Sequence, residues 1–239
     1  MILTKVRSDK KEWMDDLTLH GPALRNTLDT LGRINHWLGG NRVTRKAIKK
    51  ILKKNSGPLS LKILDIGCGH GAQLRYLVDY CRDNNILIEA TGVDANDDCI
   101  DYALACSQDY GEITYLKQNA FDTSNLKPEY DIVIATLFAH HLKDHEIETL
   151  LQTYKSRASK ALIINDLHRH KLAYGLFYVL GLFIKNEMIV HDGLVSILRG
   201  FKRNELIAFS KKLKCSYSLH WMWAFRYQWI LYTDDRKNT

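Results

Sequence analysis

The run Lys62-Ile63-Leu64-Asp65-Ile66-Gly67-Cys68-Gly69-His70-Gly71-Ala72 limits what this chain can become more than any other segment. An apolar, strand-like stretch ends at Ile66. Glycines follow at positions 67, 69 and 71, and a helical pattern starts near Ala72. Glycine lets the backbone turn tightly and lets a ligand lie against bare main chain, close to the positive end of the next helix. A strand, a glycine turn and a helix in this order are where a parallel α/β sheet takes a nucleotide-like cofactor. Gly67-x-Gly69-x-x-Ala72 also satisfies the dinucleotide fingerprint, so this motif by itself admits NAD as well.

The rest of the chain supplies the sheet. Apolar and β-branched runs at 61–66, 86–93, 113–118, 130–136 and 161–166 alternate with helical patterns near 72–82, 97–109 and 143–157. That alternation predicts a parallel sheet with helices on both faces. Residues 171–200 interrupt it with an apolar helical insert and a loop around His191-Asp192-Gly193-Leu194-Val195-Ser196. A helix near 202–213 follows, with Asn204 in position to cap it. Two aromatic-rich runs, 216–224 and 226–232, read as a hairpin at the sheet edge.

About sixty residues precede the first strand. Leu24, Leu28, Leu31, Ile34 and Leu38 form a helical stripe that Gly39-Gly40 stops. A second helix follows and closes at Asn55-Ser56-Gly57-Pro58. The division expected is a helical cap over 1–57 and a cofactor-binding domain over 58–239, with the 167–200 insert above the site.

The net charge of +7 is concentrated in this second helix: Arg42, Arg45, Lys46, Lys49, Lys50, Lys53 and Lys54 occur with no acid among them. Such a face can grip nucleic acid or anionic lipid. It is equally the solvated side of an amphipathic helix whose Val43, Ala47, Ile48, Ile51 and Leu52 point inward. No run reaches the ~18 apolar residues of a membrane span. The first residues carry no apolar signal core, and the five cysteines form no Cys-x-x-Cys pair. The expectation is a cytoplasmic protein with reduced thiols.

Asp94 ends the second strand run, 23 residues after Gly71. An acid at this distance from the glycine turn can accept hydrogen bonds from both ribose hydroxyls of a cofactor. With Asp65 two residues before the first glycine, Leu64-Asp65-Ile66-Gly67-Cys68-Gly69-His70-Gly71 resembles the glycine-rich signature of class I S-adenosylmethionine (SAM)-dependent methyltransferases. The resemblance implies a Rossmann-like sheet of seven strands, mostly parallel with an antiparallel last strand. It also implies SAM as methyl donor and S-adenosylhomocysteine (SAH) as product. Asp65 and the loop of Gly67, Cys68, Gly69 and Gly71 would hold the amino-acid part, and Asp94 with Ala95 the ribose. Asn119, Ala120 and Phe121 would hold the adenine. Asn119 stands where the family usually has an acid, but an amide oxygen also accepts.

Asp131-Ile132-Val133-Ile134-Ala135-Thr136-Leu137-Phe138-Ala139-His140-His141-Leu142 resembles the fourth segment of small-molecule methyltransferases of ubiquinone and menaquinone biosynthesis. Thr136 and Leu137 would flank the methionine part. The Asn/Asp-Pro-Pro-Tyr/Phe motif of base-amine methylases is missing from this segment, and it holds no cysteine for attack on a pyrimidine. Both features speak against nucleic acid. His140, His141 and His168 are the candidate bases, since imidazole with a pKa near 6.5 can take a hydroxyl proton at neutral pH. His141 with His145, and His168 with His170, lie near Asp144 and Asp166, yet no His-Glu-x-x-His framework exists and no metal is expected.

Residues 172–184, LAYGLFYVLGLFI, are too short to span a bilayer and read as a helix buried against the domain, or as a lid over a greasy pocket or a contact with a membrane surface. The pattern from Ile34-Asn35-His36-Trp37 to the 191–196 segment is similar to bacterial methyltransferases encoded beside polyketide synthases. That likeness implies phenolic or polyketide-like hydroxyl acceptors of secondary metabolism and a pocket with Asn35, Trp37, Tyr174 and His191. An RNA methyltransferase gripping phosphates with helix 41–54, an NAD-dependent oxidoreductase and a non-catalytic SAM-binding protein are the competing readings. A dimer is allowed, though nothing in the sequence specifies it.

Overall fold

The computed structural model describes residues 4–54 and 60–233. The expected boundary at 57/58 and the Asn55–Pro58 stop lie outside the described residues. Seven strands form one sheet in the order β3-β2-β1-β4-β5-β7-β6. They are β1 (Ser60–Ile66), β2 (Leu87–Asp94), β3 (Ile113–Lys117), β4 (Tyr130–Thr136), β5 (Ala158–Leu167), β6 (Tyr217–Met222) and β7 (Arg226–Tyr232). The first five run parallel. β7 pairs antiparallel with β5 on one side and with β6 on the other. The edges are β3 and β6; the expected hairpin is present, but of its two strands β6 alone is at the edge and β7 lies inside the sheet. Trp229, Ile230 and Leu231 of β7 are fully buried, as an interior strand requires.

Near-continuous apolar runs in β1, β4 and β5 suit strands covered on both faces. Leu64, Val133, Ala135, Leu162 and Ile164 point to one side, where α5 (Asp144–Lys155) and α8 (Arg203–Leu213) pack. Ile63, Ile132, Ile134, Ala161 and Ile163 point to the other. There they meet α2 (Gly40–Lys54), α3 (Ala72–Asp83) and α4 (Asp97–Cys106). Each fully buried Leu or Ile contributes about 2 kcal/mol of transfer free energy.

The basic helix α2 thus belongs to the sheet's own core. Val43, Ala47, Ile48 and Ile51 are all buried. On its outer side Arg45 lies 5.5 Å over the rings of both Tyr76 and Tyr80, and Lys50 donates to Ser218 Oγ at 3.1 Å. Arg42, Lys46, Lys49 and Lys53 face solvent.

The preceding helix α1 (Pro22–Trp37) behaves differently. Only Leu24 and Leu28 of its stripe are buried, while Leu31, Ile34 and Leu38 line an open cleft at the carboxyl ends of the strands. The insert is two helices, α6 (Lys171–Gly181) and α7 (Glu187–Arg199). Segment 191–196, expected as a loop, lies inside α7. Asn186 caps this helix by accepting from Ile189 N, and Gly193 is tolerated in it because the Phe177 ring fills the space a side chain would take. Asn204 is inside α8 instead of capping it; Glu205 accepts from Lys202 N at 2.7 Å at that end.

Candidate active site

The carboxyl ends of β1, β2, β4 and β5, roofed by α1, α6 and α7, enclose a cleft of about 1470 Å³. One side of it is built from main chain. The N–H groups of Gly67 and Cys68 both donate to Val93 O, at 2.9 and 3.0 Å, which folds the turn onto β2. Gly67 has φ +67°, and a Cβ there would lie 2.2 Å from the Phe138 ring. Gly67, Cys68 and Gly69 line the cleft. Gly71 does not; it starts α3 at φ +77°, where a Cβ would strike the Tyr115 hydroxyl at 1.9 Å.

Asp94 closes this turn. Its Oδ2 accepts from Gly69 N at 2.9 Å and its Oδ1 from Asn96 N at 3.0 Å. A carboxylate has about four acceptor positions, so acceptor capacity remains for a ligand. Burial raises its pKa above the usual carboxylate range. Asp65 is buried more completely, and its Oδ1 has no hydrogen-bond partner. Burial first, and the neighbouring Asp94 second, push it well above the ordinary value. An orphaned buried carboxyl on a cleft wall matches a ligand ammonium, which would return it to the ionised form.

Ala95, Asn119, Ala120, Phe121, Thr136 and Leu137 also line the cleft. Asn119 Oδ1 already accepts from Phe121 N at 2.9 Å, closing a local turn. Beside it Gln118, which the sequence did not single out, is buried with Oε1 unpartnered while its Nε2 donates to Asp122 O. Leu137 adopts φ +53° and donates to Asn165 O at 2.9 Å; Thr136 shares a 3.3 Å hydroxyl contact with Thr44.

The opposite side is a network of side chains from distant segments. His140 is buried, with Nδ1 2.7 Å from Asp166 Oδ1 and Nε2 3.5 Å from Glu12 Oε1. Burial works against its charge, but Asp166 and Glu12 carry its pKa up to about 10. Against their own burial, Glu12 and Asp166 are held below the carboxylate range by His140. His141 places Nδ1 2.6 Å from Asp15 Oδ1. Arg199 ties the network together, donating to Asp15 Oδ2 at 2.5 Å and to the carbonyls of His140 and His141. Segment 12–15 is anchored on α7, because Asp192 accepts from the N–H groups of Trp13 and Met14 and Ser196 Oγ donates to Glu12 Oε2.

One nitrogen of each of His140 and His141 and one oxygen of Glu12 lie within 4.8 Å of one another, a set able to hold a metal ion. Arg199 Nη1 sits 3.7 Å from Glu12 Oε1, so the chain's own cations already face these acids.

His168 lies on the cleft wall as well. Burial, with Lys202, His170 and Arg169 nearby, lowers its pKa to about 4. Trp221 Nε1 donates to its Nδ1 at 3.2 Å. The neutral ring must then carry its proton on Nε2.

Asn35 is in the wall, while Trp37, Tyr174 and His191 are not. Trp37 ends α1 with 85% of its surface exposed, and His191 stacks on Trp13 at 4.5 Å and bonds Asp192. Helical periodicity puts other residues inward: Leu176, Phe177 and Leu180 from α6, and Gly193, Ser196 and Ile197 from α7. Glu12, Asp15 and Arg199 were not legible beforehand, since no local pattern links them to His140 and His141.

Residues 63–159 match the methyltransferase-domain family. Among solved structures, the chain resembles the plantazolicin methyltransferase BamL in complex with a triazolic desmethylPZN analog and SAH. The identity is 15%, the TM-score 0.69, and the match covers 89% of this chain and 91% of that one. It also resembles magnesium protoporphyrin IX methyltransferase (ChlM) from Synechocystis PCC 6803 with bound SAH, at 17% identity and TM-score 0.55, over 84% and 83% of the two chains. A SAM dependent methyltransferase from Aquifex aeolicus matches at 14% identity and TM-score 0.55, over 79% and 88%. No curated protein sequence matches. At these identities the structural likeness is one of fold, and the chemistry rests on the family match. That match spans the glycine turn and the ends of β1, β2 and β4, so residues 63–159 carry a methyltransferase domain.

Proposed function

We propose that the chain moves a methyl group from SAM to a hydroxyl of a small, largely hydrophobic acceptor, phenolic or polyketide-like. The observation that carries this reading is Asp94, fixed by Gly69 N–H on a cleft wall with acceptor positions to spare. When bound, SAM supplies a methyl group activated on a sulfonium. Asp65 would take its ammonium, Asp94 the ribose hydroxyls, and Gln118 with Asn119, Ala120 and Phe121 the adenine end. Similar structures carry SAH, one of them beside a desmethylPZN analog.

The acceptor would enter beneath α6, its body against Leu176, Phe177 and Leu180. Holding oxygen and methyl in line supplies up to roughly 7–11 kcal/mol in favourable systems. Of the three candidate histidines, His140 is held as a cation and His168 keeps its Nε2 protonated. His141 remains: with Asp15 taking Nδ1–H, its Nε2, 3.8 Å from Glu12 Oε2, would be the atom that accepts a proton. His141 would take the hydroxyl proton of the acceptor as its oxygen receives the methyl group, the carbon–sulfur electron pair leaving with SAH.

No helix among the described residues is long and apolar enough to cross a membrane. The outer side of α6, with Leu172, Tyr178 and Val179 exposed and Phe183 just beyond its end, is the surface that would meet a lipid face while acceptors enter. Calorimetric titration with SAM, SAH and NADH tests the donor, and methyl transfer to a panel of phenols tests the acceptor. SAM and SAH should bind; binding of NADH alone would overturn the reading.

A further inference from the structure

Arg226 opens β7 beside Leu167 of β5, on the wall of the cleft. It is 3% exposed, yet neither Nε nor Nη1 has a hydrogen-bond partner. Buried guanidinium groups are ordinarily paired or hydrogen-bonded, because desolvating the charge is costly. Burial lowers its pKa to about 10, which still leaves a cation at neutral pH. Asp166 is the nearby acid, but its oxygens are taken by the N–H and Nδ1 of His140 and by Leu167 N. Asn35 Oδ1 is also unpartnered and, with the guanidinium, fills the space beside Gly40: a Cβ there would lie 1.9 Å from Asn35 Oδ1 and 3.0 Å from Arg226 Cζ.

We propose that Arg226 is an anion subsite that takes a carboxylate on the acceptor. This deepens the methyltransferase reading and rests on it. SAM carries a carboxylate too, but on the same carbon as the ammonium assigned to Asp65. Strands β4 and β5 stand between β1 and β7, a lateral gap of about 14 Å at ~4.8 Å per strand. The guanidinium stays on its own side, beside Gly40. From the end of β4, where His141 follows, the gap is two strands, about 10 Å. The acceptor class is therefore a hydroxy acid with a flat or hydrophobic body, its carboxylate across the ring system from the hydroxyl that is methylated. A planar guanidinium suits a carboxylate through paired N–H donors.

The test compares a hydroxynaphthoic acid, hydroxyl and carboxyl on opposite rings, with its primary amide. Each is titrated calorimetrically with and without SAH. The acid should bind at least about tenfold tighter, the usual scale for hydrogen bonds to a charged group. Arg226→Met should erase that preference and leave SAH affinity unchanged. Equal binding of acid and amide to the wild type overturns the subsite, and this arm stands even where Arg226→Met does not fold. An acid preference that survives Arg226→Met while SAH affinity falls also overturns it, giving the arginine to the cofactor. Loss of SAH binding by the wild type, with the acid preference intact, overturns the donor reading alone.

Discussion

The two walls of the cleft are built by opposite means. The donor wall is local and largely main chain: Gly69 N–H meets Asp94 across 25 residues, and Gly67 and Cys68 fold onto Val93 of the neighbouring strand. The acceptor wall is side chain and long-range: His141 meets Asp15 across 126 residues, and Arg199 meets Asp15 across 184. A wall of backbone needs glycines at fixed spacing, because only they allow the turn. A wall of paired charges needs only that the partners arrive, from whatever segment the fold delivers.

If the walls divide the work, each can be broken alone. The largest effect is expected at His141. His141→Gln removes the general base, so the rate constant for methyl transfer should fall roughly 10²–10⁴-fold. SAM affinity should hold, because no donor contact is touched. Single-turnover transfer at saturating SAM, beside a SAM titration, checks both; an unchanged rate would remove His141 from the chemistry. Next comes Asp94→Ala, the mirror experiment. Losing hydrogen bonds from a carboxylate to two hydroxyls should weaken SAM on the order of 100-fold, and the urea midpoint should fall as well, because Gly69 N and Asn96 N lose their acceptor. A large drop in stability with normal affinity would mean that Asp94 serves the loop and not the ligand.

The difference between the walls also explains what could be read in advance. The strands at 61–66 and 130–136, the glycine turn and Asp94 announce themselves because each is a contiguous pattern with a period or a spacing. Their helices follow from the same alternation. Glu12, Asp15 and Arg199 carry no such mark: an acid before a helix and an arginine near the end of another are ordinary until folding brings them beside His140. The misplaced positions fail for a related reason. A string of residues places Trp37 in the pocket, but a helix shows only one face to the cleft, and at the end of α1 that face is Asn35 and Leu38. The sequence around His191 reads as a loop, because Gly193 suggests one. The helix runs through Gly193, and the glycine is there because the Phe177 ring leaves no room for a side chain.

His70 sits where the two walls meet. It belongs to the glycine turn, yet its ring packs against Gly32 of α1 and 5.9 Å from Tyr102, with Asp29 4.0 Å away. Burial first and Arg75 second lower its pKa to about 4, against the pull of Asp29. The folded pKa lies below the unfolded value near 6.5, so the fold prefers the neutral ring. As pH falls from 6.5 towards 4, the unfolded chain binds a proton that the folded chain refuses, and stability declines. Above pH 6.5 this contribution is complete. The loss should be on the order of 2 kcal/mol. Urea unfolding at pH 7 and pH 4.5 should show a smaller decline for His70→Gln than for the wild type; equal declines would place the acid sensitivity elsewhere, His168 first.

The smallest expected effect probes the roof that only the acceptor side uses. Phe177 of α6 lines the cleft and rests against Gly193 of α7. Phe177→Ala removes apolar surface from the acceptor's body and opens a gap between the two helices. The lost contact corresponds to about 1–2 kcal/mol, or roughly tenfold in acceptor affinity. The SAM dissociation constant should not move, since none of the donor contacts derived above comes from α6. The wider gap should also narrow the difference between large and small acceptors, because a loose roof no longer rejects poor shapes. Acceptor KM measured across a size series, with SAM held saturating, reads both effects. A change in SAM affinity equal to the change in acceptor affinity would show that α6 closes over both ligands together, and the two walls would then have to be treated as one.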